Sequence, residues 1–196
     1  MRIEDYQTLA LRTEKPLPTV NGRLEHAHLG LVTETGEITT VIKRMAIYGK
    51  SLDDLEKDGK TTLRAHIVEE LGDSFWYLPI AADAVGFNIG TVLAKMMPRL
   101  ALAPLPALIR ELSAAVGDFS GLVDLAFGGH AVTEAVPESL MFIAQPLVDI
   151  AAVVGVPVSQ VLADNIAKLR ERFPDAYSNE AAEARADKGG LDARNS

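Results

Sequence analysis

Glu34–Glu37 and Glu70–Asp73 are two acidic pairs, each with i,i+3 spacing, set in LVTETGEI and HIVEELGDSFWYL. Both segments carry the apolar periodicity of a helix, and residues three apart lie on one helix face. Two such helices packed together point four carboxylates into one hollow. Four carboxylates cannot all stay ionised in a half-buried site unless cations offset them. The pattern therefore calls for a helical pair with a cation site between its members. The simplest cation for an all-oxygen site is Mg²⁺, with Mn²⁺ as a substitute.

The rest of the chain suits that requirement. Its 196 residues can bury a core as one domain or two small halves. Hydrophobic residues make up 48% and aromatics only 6%, so Ala, Leu, Val and Ile fill the core and packed helices are favoured. The absence of cysteine excludes disulfides, thiolate catalysis and zinc–thiolate sites, and suits a reducing cytoplasm. A net charge of −8 argues against a nucleic-acid polymer as partner. Nucleotides stay compatible, because a bound cation bridges carboxylates to phosphates. No uninterrupted apolar run reaches membrane-spanning length, and MRIEDYQTLALRTEKP is too polar for a signal peptide. A cytoplasmic protein without a membrane partner is expected.

Capping and breaker residues predict helices over about 3–13, 24–48, 62–85, 89–97, 107–127, 138–154 and 158–172. Gly49 and Gly86 end the second and third of these. Pro79 falls inside the third and is expected to bend it. The polar stretch LDDLEKDGK links the two acidic helices. The tail from Gly189 is expected to be disordered.

An internal repeat emerges when GEITTVIKRMAIYG (from Gly36) is set beside GDFSGLVDLAFGG (from Gly117). LPIAADAVGFNIGTVLAKMMPRL (from Leu78) likewise aligns with LVDIAAVVGVPVSQVLADNIAKL (from Leu147). The acidic quartet maps onto Ala115, Asp118, Ser139 and Phe142. Asn165 and Lys168 map onto Met96 and Arg99. One copy thus keeps the acids, and the other keeps a polar, basic strip. The expected organisation is a helical half over 1–100 with the metal site, a degenerate half over 101–188, and a tail over 189–196. Together the halves form one compact domain.

GLVTETGEI, HIVEELGDSFWYL and NIAKLRERFPDAYS together resemble the motifs of the MazG-like, all-α nucleoside triphosphate pyrophosphohydrolases. That superfamily includes dimeric dUTPases, dCTP pyrophosphatases and phosphoribosyl-ATP pyrophosphohydrolase. Its signature is E-x-x-E, then E-x-x-D, then N-x-x-K-L-x-x-R-[YF]-P. The resemblance runs from about Tyr6 to about Arg185, interrupted by the degenerate copy. It implies an all-α bundle of two paired helical hairpins, with the second copy making a covalent pseudo-dimer. It also implies a homodimer or higher homo-oligomer, and hydrolysis of a (d)NTP to (d)NMP and pyrophosphate in nucleotide-pool control.

By the same resemblance Glu34, Glu37, Glu70 and Asp73 would be the Mg²⁺ ligands. Glu37 and Glu70 would carry the catalysis, with Glu37 orienting or deprotonating the attacking water. Thr33 stands where other members carry a further Glu. Lys43 matches a basic position after the first acidic pair; it reads equally as a phosphate contact or as a surface lysine beside Arg44. Asn165, Lys168 and Arg172 match the C-terminal motif at i, i+3 and i+7. One helix face then offers an amide and two cations to the sugar or base edge and the phosphates. Glu69 points away from Glu70 and is left outside the site. Trp76 reads first as core, although it and Tyr77 could flank a base pocket. His26 and His28 read as capping or packing residues.

A ferritin-like di-iron site needs two E-x-x-H motifs, and only Glu25–His28 fits. No phosphate-binding loop and no G-x-S-x-G elbow are present. The competing reading is a non-catalytic nucleotide-binding or regulatory protein on the same fold, which would leave the intact quartet without turnover.

Overall fold

The computed structural model describes residues 1–184. The expected flexible tail at 189–196, and residues 185–188 before it, lie outside the described residues. A 3-10 turn, Ile3–Asp5, leads into α1 (Tyr6–Leu11), α2 (Val20–Tyr48) and α3 (Leu63–Ala84). Then come α4 (Gly90–Leu93), α5 (Leu105–Phe127), α6 (Ala135–Val153), α7 (Val158–Arg172) and α8 (Asn179–Ala184). Among the described residues there is no strand, and the class is all-α.

The long helices form where the apolar spacing is helical. In α2 the buried stripe runs Leu24, Ala27, Leu31, Ile38, Val41 and Ile42; in α3 it runs Ile67, Leu71, Phe75 and Leu78. Each helix starts on a threonine whose hydroxyl accepts an orphan backbone N–H. Thr19 takes that of Gly22 at 3.0 Å, and Thr62 takes that of Ala65 at 3.1 Å. Helix α3 packs against α2 and α6, and α5 packs against α2 and α6, so the four long helices close into a ring. Helices α1 and α7 lie on the outer side of α3. One hydrophobic core runs from Tyr6 to Phe173.

Helix α6 is long and apolar enough to cross a bilayer by length and composition, which the sequence reading did not register. Here it is a core helix of the ring, with Leu140, Ile143, Leu147 and Ile150 fully buried. Proline does not interrupt α3, which continues helically through Pro79.

Helices α3 and α6 end in the same way. Gly86 (φ 73°) donates to the Asp83 carbonyl and Phe87 to that of Ala82; Gly155 (φ 78°) donates to Ala152 and Val156 to Ala151. A left-handed residue is needed at that position, so glycine is the ready choice. After the caps the two segments differ. The helix expected over 89–97 is only four residues long, Gly90–Leu93, and the chain beyond it turns towards α6.

That turn places Arg99 against Asp149, which is fully buried on α6. Asp149 accepts the Arg99 amide at 2.9 Å, pairs with its guanidinium, and takes Gln145 Nε2 at 3.2 Å. The guanidinium also grips Glu111 at 2.8 and 3.0 Å. Removing the cation leaves a buried carboxylate underpaired. Arg99→Met is therefore expected to cost roughly 3 kcal/mol of stability, measured by urea unfolding. A loss below about 1 kcal/mol, the worth of a surface pair, would mean that the Arg99–Asp149 pair does not hold the fold.

Candidate functional site

Helices α2 and α3 bring all four predicted acids to one end of a cavity of about 340 Å³. One carboxylate oxygen from each of Glu34, Glu70 and Asp73 lies within 4.8 Å of the others. A second set, Glu37, His66 and Glu70, meets the same limit. Glu70 belongs to both sets and is only 5% exposed, whereas Glu37 is exposed at the cavity edge.

The crowding shows in the acidities. Burial, the hydrogen bond with Glu34, and the charges of Glu37 and Asp73 push the Glu70 pKa up to about 9. Burial and the charges of Asp73 and Glu37 also raise Glu34, although its bond with Glu70 acts the other way. The raised pKa values favour a protonated pair at Glu70 and Glu34, which offsets part of the negative charge. This donor set could hold a metal ion, which would displace that proton.

Lys168 supplies the nearest fixed cation. Its Nζ lies 2.6 Å from both oxygens of Asp73 and 3.4 Å from Glu69. Burial works against the ammonium, but Asp73, Glu69 and Glu70 outweigh it and raise its pKa. Asn165 is buried, donates to Asp73 Oδ1 at 2.9 Å, and accepts the fully buried Tyr6 hydroxyl at 3.1 Å. The close seating of α7 depends on Gly72, since a Cβ there would sit 3.1 Å from the Asn165 Cβ. Arg12 fastens the end of α7 by donating to the Phe173 carbonyl at 2.8 Å and to that of Pro174 at 3.2 Å.

The structure redistributes the residues expected to meet substrate. Arg172 lines the cavity with Leu169 and Phe173. Asn165 and Lys168 do not; they stand behind Asp73 and fix its orientation, because α7 packs on the outer side of α3. Lys43 is exposed and outside the lining. Thr33 lies 2.8 Å from the Gly30 carbonyl and 3.2 Å from Glu34 Oε1, so its hydroxyl steadies a carboxylate where another acid was missing. Glu69 stays outside the quartet, as read from its helical angle.

The other end of the cavity is aromatic. The Tyr77 ring crosses α2 at Gly30, where a Cβ would sit 2.0 Å from the ring. Trp76 both lines the cavity and ties α3 to α1, donating from Nε1 to the Ala10 carbonyl at 3.1 Å. His26 meets Trp76 and Tyr77 edge-on, at centroid distances of 5.9 and 5.7 Å. Burial lowers its pKa, and its Nδ1 is buried with no hydrogen-bond partner among the described residues. His28 faces Phe119 on α5 instead. His66 was not singled out from the sequence, although it lies one turn before Glu70 on the same helix face.

No protein-family model, curated protein or solved structure matches this chain.

The raised pKa of Glu70 carries a sign. A carboxyl group whose folded pKa exceeds its unfolded value contributes stability in full below about pH 4.5, and loses it as pH rises towards about 9. In chelator, the melting temperature of the wild type should therefore fall between pH 5 and pH 9, and Glu70→Gln should flatten that fall. Divalent cation should restore the wild type at alkaline pH but not the variant. Parallel pH profiles for the two proteins in chelator would show that Glu70 is ionised in the fold.

Proposed function

We propose that the chain is a divalent-cation-dependent nucleoside triphosphate pyrophosphohydrolase of the MazG-like type. The observation that carries this reading is the meeting of Glu34, Glu37, Glu70 and Asp73 at one end of a cavity walled by Trp76, Tyr77 and Arg172. The acidic end suits cations bound to a polyphosphate, and the aromatic end suits a flat base. Mg²⁺, or Mn²⁺ in its place, would neutralise the polyphosphate and acidify a bound water.

The chain's own residues then divide the work. Glu34, Glu70 and Asp73 would hold the cation, with Lys168 and Asn165 keeping Asp73 in place. Glu37 is the most open of the four acids and accepts the proton of the attacking water at its carboxylate. Arg172 offsets charge on the leaving pyrophosphate. Trp76, Tyr77 and His26 exclude water from the base.

The pseudo-dimer belongs to the same proposal. Ala115, Asp118, Ser139 and Phe142, the aligned counterparts of the quartet, line a second cavity of about 480 Å³ between α5 and α6. The paired glycine caps at Gly86 and Gly155 support the same reading. Arg99 and Lys168 pair with acids at unlike positions of the repeat, Asp149 and Asp73, since the counterpart of Asp73 is Phe142. Only the first hairpin keeps the ligands, so one active site per chain is expected, and Asp118→Asn should leave turnover unchanged.

The test is phosphate release with coupled pyrophosphatase on a panel of nucleotides. Turnover should need Mg²⁺ or Mn²⁺, stop in chelator, and yield monophosphate and pyrophosphate. Orthophosphate with a diphosphate as primary products would reject the assignment; binding without turnover would favour the non-catalytic reading. Glu37→Gln should lower kcat by roughly 10²-fold or more. Arg172→Ala should raise KM and spare cation affinity. Lys168→Ala should change cation affinity as well, because it removes the ammonium that holds both Asp73 oxygens.

A further inference from the structure

The linker between α2 and α3 builds a support that the quartet alone does not require. Asp58 closes a tight turn by accepting the backbone N–H groups of Lys60 and Thr61, at 2.8 and 2.9 Å. The turn presents Glu56, which pairs with Arg44 on α2 and lies 2.8 Å from His66 Nδ1 on α3. A carboxylate only accepts, so this contact puts the proton on Nδ1. The other ring nitrogen, Nε2, faces Glu70 Oε1 at 3.2 Å. The imidazole is therefore held at one edge with its opposite nitrogen turned into the cation site. Carboxylate support on the far nitrogen is the usual arrangement behind a metal-ligating histidine. Arg44 and Glu56 both lie outside the acidic quartet, so this support is a separate observation from the crowding of the carboxylates.

We infer that the site has two cation positions sharing Glu70, and that His66 Nε2 is a ligand of the second, with Glu37. The first position, made by Glu34, Glu70 and Asp73, is all oxygen and suits Mg²⁺. The second adds a nitrogen donor, which favours ions that accept imidazole, such as Mn²⁺, Co²⁺ or Zn²⁺. The inference rests on the reading that the quartet binds divalent cation. It adds a residue and a selectivity that the acidic motifs do not contain, and it gives the linker a task. Glu56 is a positioning residue, since it acts through His66.

The test is pulsed electron paramagnetic resonance on the full chain loaded with Mn²⁺. The chain has four histidines, so the isotope and the variants share the assignment. Nitrogen modulation of the Mn²⁺ signal is expected, shifting when the histidines alone are labelled with ¹⁵N. His66→Gln should abolish it while Mn²⁺ still binds, and His26→Gln should keep it. Glu56→Gln should lower Mn²⁺ affinity by about tenfold or more. Should His66→Gln fail to fold, the label shift in the wild type, together with its survival in His26→Gln, His28→Gln and His130→Gln, makes the same assignment. Bound Mn²⁺ without nitrogen coupling overturns the inference and leaves the proposed hydrolysis standing. Nitrogen coupling without nucleotide turnover upholds the inference and counts against the hydrolysis. No bound Mn²⁺ overturns both.

Discussion

Like-charge repulsion between α2 and α3 governs how this fold is assembled. Apolar burial drives the two helices together, and the same contact forces Glu34, Glu70 and Asp73 within reach of one another. Two devices in the chain offset the cost. Crowding raises the pKa of Glu70 and of Glu34, which favours their neutral forms, and the Lys168 ammonium is held against Asp73. The second device requires α7 to return from the far end of the chain and lie along α3. Tyr6, Asn165, Gly72 and Arg12 serve that return, through a hydrogen-bond chain, a close approach and a fastened helix end.

The same arithmetic separates the two charged clusters of the bundle. At Asp149 the balance is closed: a guanidinium, an amide and a glutamine surround one buried carboxylate. At the quartet it is left open, with more acids than fixed bases and a cavity beside them. A closed cluster holds a fold together and has nothing to offer a ligand. An open one costs stability and leaves a donor set that could hold positive charge, the kind of exchange of stability that binding sites make.

Small residues set the geometry of the cavity as firmly as the charged ones do. Gly30 lets the Tyr77 ring pass over α2 one turn before Glu34, so aromatic wall and carboxylate share one helical face. His26, Trp76 and Tyr77 then meet edge to face, so each ring packs against the other two.

The sequence by itself determined the helical class, the helix ends at Gly49 and Gly86, and the facing of the two acidic pairs. Those features follow from period and backbone chemistry within a few residues, where local rules suffice. It also placed Asn165, Lys168 and Arg172 on one helix, but spacing cannot say which helix that face meets. Tertiary packing decided that Asn165 and Lys168 stand behind Asp73 while Arg172 lines the cavity, and that Lys43 faces solvent. It likewise limited the helix at 89–97 to Gly90–Leu93 and paired Arg99 with Asp149, 50 residues away. His66 escaped notice for the same reason. Its partner Glu56 lies in a linker that reads as polar connection, and only the folded turn brings carboxylate, imidazole and Glu70 into line.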